Sequence, residues 1–293
     1  MSSGNLTADR RFTYAMMLRR DGDFDAAADV LNQTLELVPE WAEGRFTLAE
    51  VLAEGGRKYD AIAAFEHYLE ADAADSMGAA AKIALLMERA PETLSAAYIT
   101  RLFDQYAPRF EKALREQLKY KAPEILRAAV DAARPEGTFA RVFDLGCGTG
   151  LAGAAFKDRA GWLGGADLSA AMVKGAERKG IYDQLVVGDM LAMLNETRAC
   201  DLILAADVLT YLGDLAPVFA AVRGKLDGLF AFTLQRCKEG FVLGPEQRFS
   251  HSRAYIERAA ADAGFKVVTL EEASSRQEKG EDVPGLVAVL HAP

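Results

Sequence analysis

The stretch Val142-Phe143-Asp144-Leu145-Gly146-Cys147-Gly148-Thr149-Gly150 decides how this chain is read. An apolar run closed by Asp144 gives way to three glycines at alternate positions, and a helical pattern starts at about Leu151. That is the sequence of a buried strand that enters a tight turn and leaves it as a helix. The glycines let the backbone bend sharply and admit a ligand where any Cβ would collide. The first N–H groups of the following helix have no partner inside it, so they face whatever occupies the turn. A nucleotide-like ligand is expected.

The same residues can be parsed in two frames. Gly148-Thr149-Gly150-Leu151-Ala152-Gly153 satisfies the dinucleotide pattern GxGxxG. Asp144 with Gly146, Gly148 and Gly150 satisfies DxGxGxG, the pattern of methyltransferases that use S-adenosylmethionine. The glycines by themselves leave both open, and the surroundings decide.

Outward from the turn, 293 residues are long for one compact domain and comfortable for two. The composition is that of a soluble globular protein. No run of about 18 uncharged apolar residues occurs, and Met1 to Arg11 is polar, so a cytoplasmic protein without membrane attachment is the expectation. Cys147, Cys200 and Cys237 are widely spaced and form no CxxC pair, which suggests neither a disulfide framework nor a zinc site. With three histidines in all, no metal is expected. A formal net charge of −9 disfavours nucleic acid as the main partner.

The N-terminal part repeats itself. Arg11-Phe12-Thr13 recurs as Arg45-Phe46-Thr47, and Ala15 with Ala49, Leu18 with Leu52 and Gly22 with Gly56 keep the same spacing of 34 residues. One inserted residue later, Phe24-Asp25-Ala26 matches Tyr59-Asp60-Ala61, and Ala80, Ile83 and Leu86 begin a third unit that stops near Arg89 to Pro91. This resembles the tetratricopeptide repeat, a helix pair with a small residue at its turn. Phe12 and Phe46 stand where the family has tryptophan, and Ala74 replaces the proline that Pro39 supplies in the first unit. The resemblance implies a small all-α domain over residues 1–91, serving either as a surface for a protein partner or as a structural appendage. Trp41 and His67 are candidates for a groove, although a repeat aromatic belongs more often to the core.

Residues 92–135 form a connector. Phe103, Tyr106 and Phe110 share one helical face, with Pro108 at or near a helix start. The face is either a core stripe or a lid, because this stretch looks like the segment that precedes the first motif in many small-molecule methyltransferases. From Arg141 onward apolar runs alternate with helical ones, the mark of a parallel sheet covered on both faces. Candidate strands are 141–145, 161–166, 184–187, 199–206, 228–235, 265–271 and 285–291. Too few residues separate the last two for a crossover helix, so they pair antiparallel.

Strand ends decide between the frames. Asp167, closing the second strand, suits ribose hydroxyls in either. Val186-Val187-Gly188-Asp189-Met190 places an acid and an exposed N–H after the third strand, and Ala205-Ala206-Asp207-Val208-Leu209-Thr210-Tyr211-Leu212 follows the fourth. With the terminal hairpin, these motifs make residues 92–293 resemble the class I S-adenosylmethionine-dependent methyltransferases: an α/β fold with a seven-stranded Rossmann-like sheet and an antiparallel terminal hairpin. The fusion as a whole is similar to a bacterial group of methyltransferases with tetratricopeptide repeats, which implies no settled acceptor.

By position, the resemblance implies S-adenosyl-L-methionine as cofactor and assigns its contacts. Asp144 and the turn Gly146, Cys147, Gly148 and Gly150 take the methionine portion, with Cys147 an inert small residue. Asp167 takes the ribose, Leu168 and Met172 one adenine face, and Gly188, Asp189 and Met190 the adenine edge. Asp207 lies near the methionine ammonium, and Tyr106 and Arg109 close the lid.

Acceptor residues are less determined, because methyl transfer is an in-line displacement that requires chiefly alignment and exclusion of water. A base is needed only if the acceptor must lose a proton. No Asn-Pro-Pro-Tyr or Asp-Pro-Pro-Tyr follows the fourth strand and no Pro-Cys nucleophile is present, which disfavours DNA or glutamine methylation. The candidates are Tyr106, Arg109, Tyr211, Gln235, Arg248, His251, Tyr255 and Arg276. Among them His251 is the first choice of base, on a loop from Gly244 to Ser252 that could reach over the pocket, with Tyr211 and Asp207 as the other catalytic candidates. The bland reading is that Ser250 or Ser252 caps the next helix and His251 sits beside it. The expected activity is methyl transfer to an unidentified, small-molecule acceptor. The alternatives are a non-catalytic adaptor that responds to S-adenosylmethionine and binds partners through its repeats, and a nicotinamide enzyme.

Overall fold

The computed structural model describes residues 2–293, and of Arg115 the backbone only. The chain divides into two compact units at Tyr98–Ile99. Among the described residues no helix is long and apolar enough to cross a membrane.

The first unit is all helical: α1 (Leu6–Arg20), α2 (Phe24–Leu37), α3 (Ala42–Glu54), α4 (Lys58–Ala71) and α5 (Ala79–Leu86). Local chemistry sets the ends. The Asn5 side chain accepts from the N–H groups of Thr7 and Ala8, and that of Asp23 from Ala26. Gly22 (φ +85°) and Gly56 (φ +77°) supply the left-handed residue between α1 and α2 and between α3 and α4. Small residues allow close approach: Ala15, Ala27, Ala28 and Ala61 pack with Leu31, Leu48, Val51 and Leu52. Deeper along the array Phe46 meets the edges of Phe65 and Tyr68, each at 5.3 Å. Trp41 stacks edge-on against Phe12 at 4.8 Å, whereas His67 is exposed beside Glu70.

The helix α6 (Ala96–Tyr106) follows, and Pro108, in a short 3-10 turn, separates it from α7 (Phe110–Glu116). The order from there is α8 (Ala122–Ala133), β1 (Val142–Leu145), α9 (Leu151–Phe156), β2 (Leu163–Asp167), α10 (Ala170–Glu177), β3 (Gln184–Val187), α11 (Met190–Glu196), β4 (Cys200–Ala205), α12 (Ala216–Arg223), β5 (Leu226–Arg236), β6 (Phe241–Leu243), β7 (Phe249–His251), α13 (Arg253–Asp262), β8 (Lys266–Glu272), β9 (Gln277–Glu278), β10 (Glu281–Asp282) and β11 (Gly285–His291).

The main sheet has the order β3-β2-β1-β4-β5-β11-β8, with β1 to β5 parallel and β11 antiparallel to both neighbours. Alternation along each strand loads both faces. Phe143, Ile203, Phe230 and Phe232 join one core with α12 and α13, while Val142, Leu202, Leu204 and Ala231 join the other with Leu126 and Val130 of α8. The sheet therefore reads as apolar runs, as a two-sided parallel sheet must.

The final hairpin is antiparallel, with β11 placed between β5 and β8. Two ribbons were not expected. The segment after β5, read as a free loop, forms β6 and β7, with β7 parallel to the end of β5 at Gln235–Ser250 and Arg236–His251. The polar segment before β11 holds the small β9–β10 ribbon. Both escape a pattern search because two or three residues carry no period.

The chain leaves β1 toward β2 and β3 on one side and returns to β4 and β5 on the other. The carboxyl ends of β1 and β4 thus form the switch point, where open α/β sheets hold ligands. On the far side, β11 lies so close to its neighbours that a Cβ at Gly285 would stand 2.4 Å from the carbonyl oxygen of Ala273 and 2.9 Å from that of Leu234. Neither backbone can retreat without breaking the ladder. Gly285→Ala is expected to lower the unfolding free energy by about 2–3 kcal/mol in urea titrations, and an unchanged midpoint would disprove the tight approach.

Candidate functional site

The turn after β1 is built around a carboxylate that has left water. Asp144 is fully buried; its Oδ2 accepts from the Tyr182 hydroxyl at 2.7 Å and from the N–H of Gly153 at 3.0 Å. Its Oδ1 is buried with no partner among the described residues. Burial pushes the Asp144 pKa up to about 7, against the pull of those two hydrogen bonds. The three glycines of the turn all have left-handed φ: Gly146 +61°, Gly148 +53° and Gly150 +85°. At Gly146 a Cβ would fall 2.2 Å from Cγ2 of Val208, so the turn is pressed against the segment that follows β4. Cys147 is buried, and burial raises its thiol pKa well above the usual range, which fits a packing residue.

Asp167, at the end of β2, reaches across to this turn. Its Oδ2 accepts from the Gly148 N–H at 2.9 Å and its Oδ1 from the Ser169 N–H at 2.8 Å, while burial raises its pKa. Each oxygen keeps a lone pair for a further donor. Asp189 is exposed and caps α11 through the N–H groups of Leu191 and Ala192; Gly188 donates to the Asp167 carbonyl, and Met190 packs partly into the core. Leu168 is half-buried, whereas Met172 is turned into the core with no exposed surface. Met172 was expected to offer an adenine face. The helix α10 instead directs it inward, while Ser169 caps the backbone above it.

At the end of β4, Asp207 sits at φ +56°, a conformation tolerated by Asp more than by most residues. Its carboxylate was expected to be free for an ammonium group and is already engaged. Oδ2 pairs with Arg276 Nη1 at 3.0 Å, and Oδ1 accepts from the hydroxyls of Ser275 at 3.0 Å and Thr233 at 3.1 Å. Arg276, 2% exposed, also pairs with Glu278 at 3.0 Å. This buried pair, and not a surface one, ties the β8–β11 connection to the end of β4. The connector is stitched to the same place: Lys121 donates to the Ser275 carbonyl and Gln277 to that of Leu118, both at 2.7 Å. Tyr120 lies nearby, its hydroxyl pKa raised well above the usual range by burial and by the charges of Asp207 and Asp144.

The aromatic stripe of the connector folds over the turn. Phe110 contacts the space above Gly148, where a Cβ would be 3.7 Å from its ring. Phe103 meets Tyr211 edge-on at 5.4 Å and Phe110 at 6.2 Å, and Tyr106 meets Phe110 at 5.5 Å. Arg109 lies over the Tyr106 ring at 5.5 Å. Asp104 anchors the stripe, accepting from the Ser169 hydroxyl at 2.5 Å. Tyr211 is 5% exposed, burial raises its pKa, and Arg248 stands over its ring at 5.7 Å.

His251 does not occupy a loop over the pocket. It ends β7, is fully buried, and its Nε2 lies 2.9 Å from the Gly213 carbonyl oxygen. Burial lowers its pKa to about 4. Ser252 beside it caps α13 by accepting from Tyr255, and the Tyr255 hydroxyl donates to Asp214 and accepts from the Leu215 N–H. These residues pin the segment after β4, and the placement does not suit His251 as a base. Among the described residues no group of three or more His, Cys, Asp or Glu could hold a metal. Tyr182, Thr233, Ser275, Glu278 and Tyr120 were not singled out in the sequence. Tyr182 comes from a loop 38 residues after Asp144 and carries no motif, so only the fold brings the two together.

Residues 142–227 match the family model described as "Methyltransferase domain". Among solved structures, SpnF, a [4+2]-cyclase, aligns at a TM-score of 0.55 with 16% identity over 67% of this chain and 95% of its own. A chain described as a methyltransferase, in complex with the Haloferax volcanii Trm112 methyltransferase activator, aligns at 0.50 with 19% identity over 65% and 97%. An S-adenosylmethionine-dependent methyltransferase from Clostridium acetobutylicum aligns at 0.49 with 19% identity over 65% and 98%. At these identities the likeness is one of fold. The curated proteins contain no match to the sequence. The chain thus carries, over residues 142–227, a region that matches a methyltransferase domain, and its sheet shares the fold of these structures.

Two buried groups make stability depend on pH with opposite signs. Folded Asp144 holds its proton up to about pH 7 while the unfolded chain releases it near 3.8, so its contribution to stability falls as pH rises through that window. Folded His251 stays neutral down to about pH 4 while the unfolded imidazole takes a proton below 6.5, so its contribution rises with pH between those values. Asp144→Asn removes only the first effect. Between pH 5 and 7 the unfolding free energy of this variant is expected to gain on the parent by on the order of 2 kcal/mol. Parallel profiles in urea would show that Asp144 titrates as an ordinary carboxylate.

Proposed function

We propose that the methyltransferase domain binds S-adenosyl-L-methionine at the turn after β1 and transfers its methyl group to a small-molecule acceptor. One observation carries this reading: left-handed glycines at 146, 148 and 150 lie between buried Asp144 and half-buried Asp167, with Asp167 bonded to the turn and Asp144 Oδ1 left without a partner. An orphaned buried oxygen is costly unless a donor reaches it. A dinucleotide pyrophosphate would bring negative charge toward Asp167, whereas the cofactor's methionine end brings an ammonium and a sulfonium.

When bound, the cofactor supplies a methyl carbon made electrophilic by sulfonium, with a neutral thioether as leaving group. The chain's part is to hold and enclose it. In this reading Gly146, Cys147, Gly148 and Gly150 hold the methionine portion by their backbone. Asp167 accepts the ribose hydroxyls on its remaining lone pairs. Leu168, Gly188, Asp189 and Met190 bound the adenine. Tyr106 and Arg109, with Phe103 and Phe110, form a cover that excludes water, which strengthens every electrostatic interaction beneath it. The net charge of −9 favours a small acceptor over a nucleic acid. The fold is shared with a [4+2]-cyclase, so transfer rests on the site and not on the sheet. Residues 1–91 are read as tetratricopeptide-type repeats with a surface for a protein partner, and 92–293 as the methyltransferase domain with its connector at 92–135.

Calorimetry with S-adenosylmethionine, S-adenosylhomocysteine and NAD tests the cofactor, and binding of NAD alone would overturn the assignment. Asp167→Ala is expected to weaken S-adenosylmethionine by roughly 1–3 kcal/mol. Incubation of the protein with labelled S-adenosylmethionine and a cell extract should place label in metabolites; label confined to protein would refute the small-molecule acceptor.

A further inference from the structure

Arg248 and Arg276 stand at the same edge of the site, and both are among the acceptor-site candidates of the sequence. The structure separates them. Arg276 is neutralised by Asp207 and Glu278 on either side of its guanidinium. Arg248 is half-buried, lies over the Tyr211 ring, and is joined to no carboxylate by an ion pair among the described residues. Burial opposes its charge, yet the neighbouring Tyr211, Asp207 and Glu278 favour it, and its pKa is raised.

The backbone that carries it is set by hydrogen bonds. The turn that carries it is closed by the Gly244 N–H on the Arg248 carbonyl at 2.8 Å and by the Gln247 N–H on the Gly244 carbonyl at 2.9 Å. Directly after it, β7 pairs with the end of β5, so the guanidinium is held at the carboxyl edge of the sheet. The Tyr211 ring beneath it is the one that meets Phe103 of the cover. A half-buried guanidinium has lost part of its hydration, and among the described residues no carboxylate within ion-pair distance replaces it. Held over the Tyr211 ring, the guanidinium has its hydrogen-bonding fork open to an anion. The planar fork of a guanidinium matches a carboxylate in two parallel hydrogen bonds. A dianionic phosphate would bring a second negative charge toward Asp207 and Glu278, whose field already reaches the same guanidinium.

We propose that Arg248 anchors a carboxylate on the methyl acceptor, so that the substrate is a small carboxylic acid. This rests on the reading of the turn as the S-adenosylmethionine site. The test uses the full-length protein saturated with S-adenosylhomocysteine, its arginines labelled with nitrogen-15, and the Arg248 Nε–H resonance identified by its loss in Arg248→Gln. Acetate and benzoate should move that resonance saturably, benzamide should not, and phenyl phosphate should bind about tenfold more weakly than benzoate. Arg248→Lys, which keeps the charge and loses the fork, should weaken benzoate by about tenfold while S-adenosylhomocysteine binds as before. Carboxylates that leave the resonance unmoved, phenyl phosphate that binds more tightly than benzoate, or an Arg248→Lys protein that binds benzoate unchanged would each overturn the proposal. Failure of the parent protein to bind S-adenosylhomocysteine would refute the underlying reading of the turn instead.

Discussion

A carboxylate buried at the end of β1 is the constraint on which the site depends. Asp144 cannot be solvated where it lies, so its Oδ2 takes the two donors that the fold brings to it, Tyr182 and the backbone of Gly153. The first of these holds the loop before β3 against the turn, and the second fixes the first turn of α9. Between them the chain must reverse within a few residues, which requires the left-handed backbone of Gly146, Gly148 and Gly150. The same closeness that excludes a Cβ at Gly146, 2.2 Å from Val208, joins the β1 turn to the segment after β4. The switch point is thus one rigid object.

The other edge of the site is assembled from parts far apart in the chain. Asp207 after β4, Thr233 in β5, and Ser275, Arg276 and Glu278 beyond β8 form one buried polar network. Breaking one member would leave an unpaired charge in a low dielectric, which is why such networks hold loops in place. The insertion of β11 between β5 and β8 brings the 273–284 segment back to the carboxyl edge. The connector then bonds to that segment through Lys121 and Gln277, so the cover and the floor of the site share an anchor.

Much of this was legible because it rests on local pattern. The Asp144 to Gly150 turn, the apolar strands and the antiparallel ending all follow from a side-chain period, a glycine run or a short connection. Residues whose role depends on distant partners were not legible. Asp207 reads as a free strand-end acid until Arg276 is found beside it, 69 positions on. His251 reads as a base on a loop that could reach over the pocket, but pairing of β7 with β5 draws it into the core and onto the Gly213 carbonyl. Arg248 and Arg276 look alike as sequence and differ in burial and in whether a carboxylate pairs with them.

By itself the sequence determined the alternation of strand and helix, the location of the nucleotide-like turn and the helical character of the first ninety or so residues, since each is a property of neighbours along the chain. The tertiary structure alone decided how the ionisable groups are satisfied: Asp144 by Tyr182 and Gly153 on one oxygen only, Asp207 by Arg276, and Arg248 by an ion pair with none of the described carboxylates. The reason is that desolvation and Coulomb attraction act through space over a few ångströms, and no spacing along a chain records that distance.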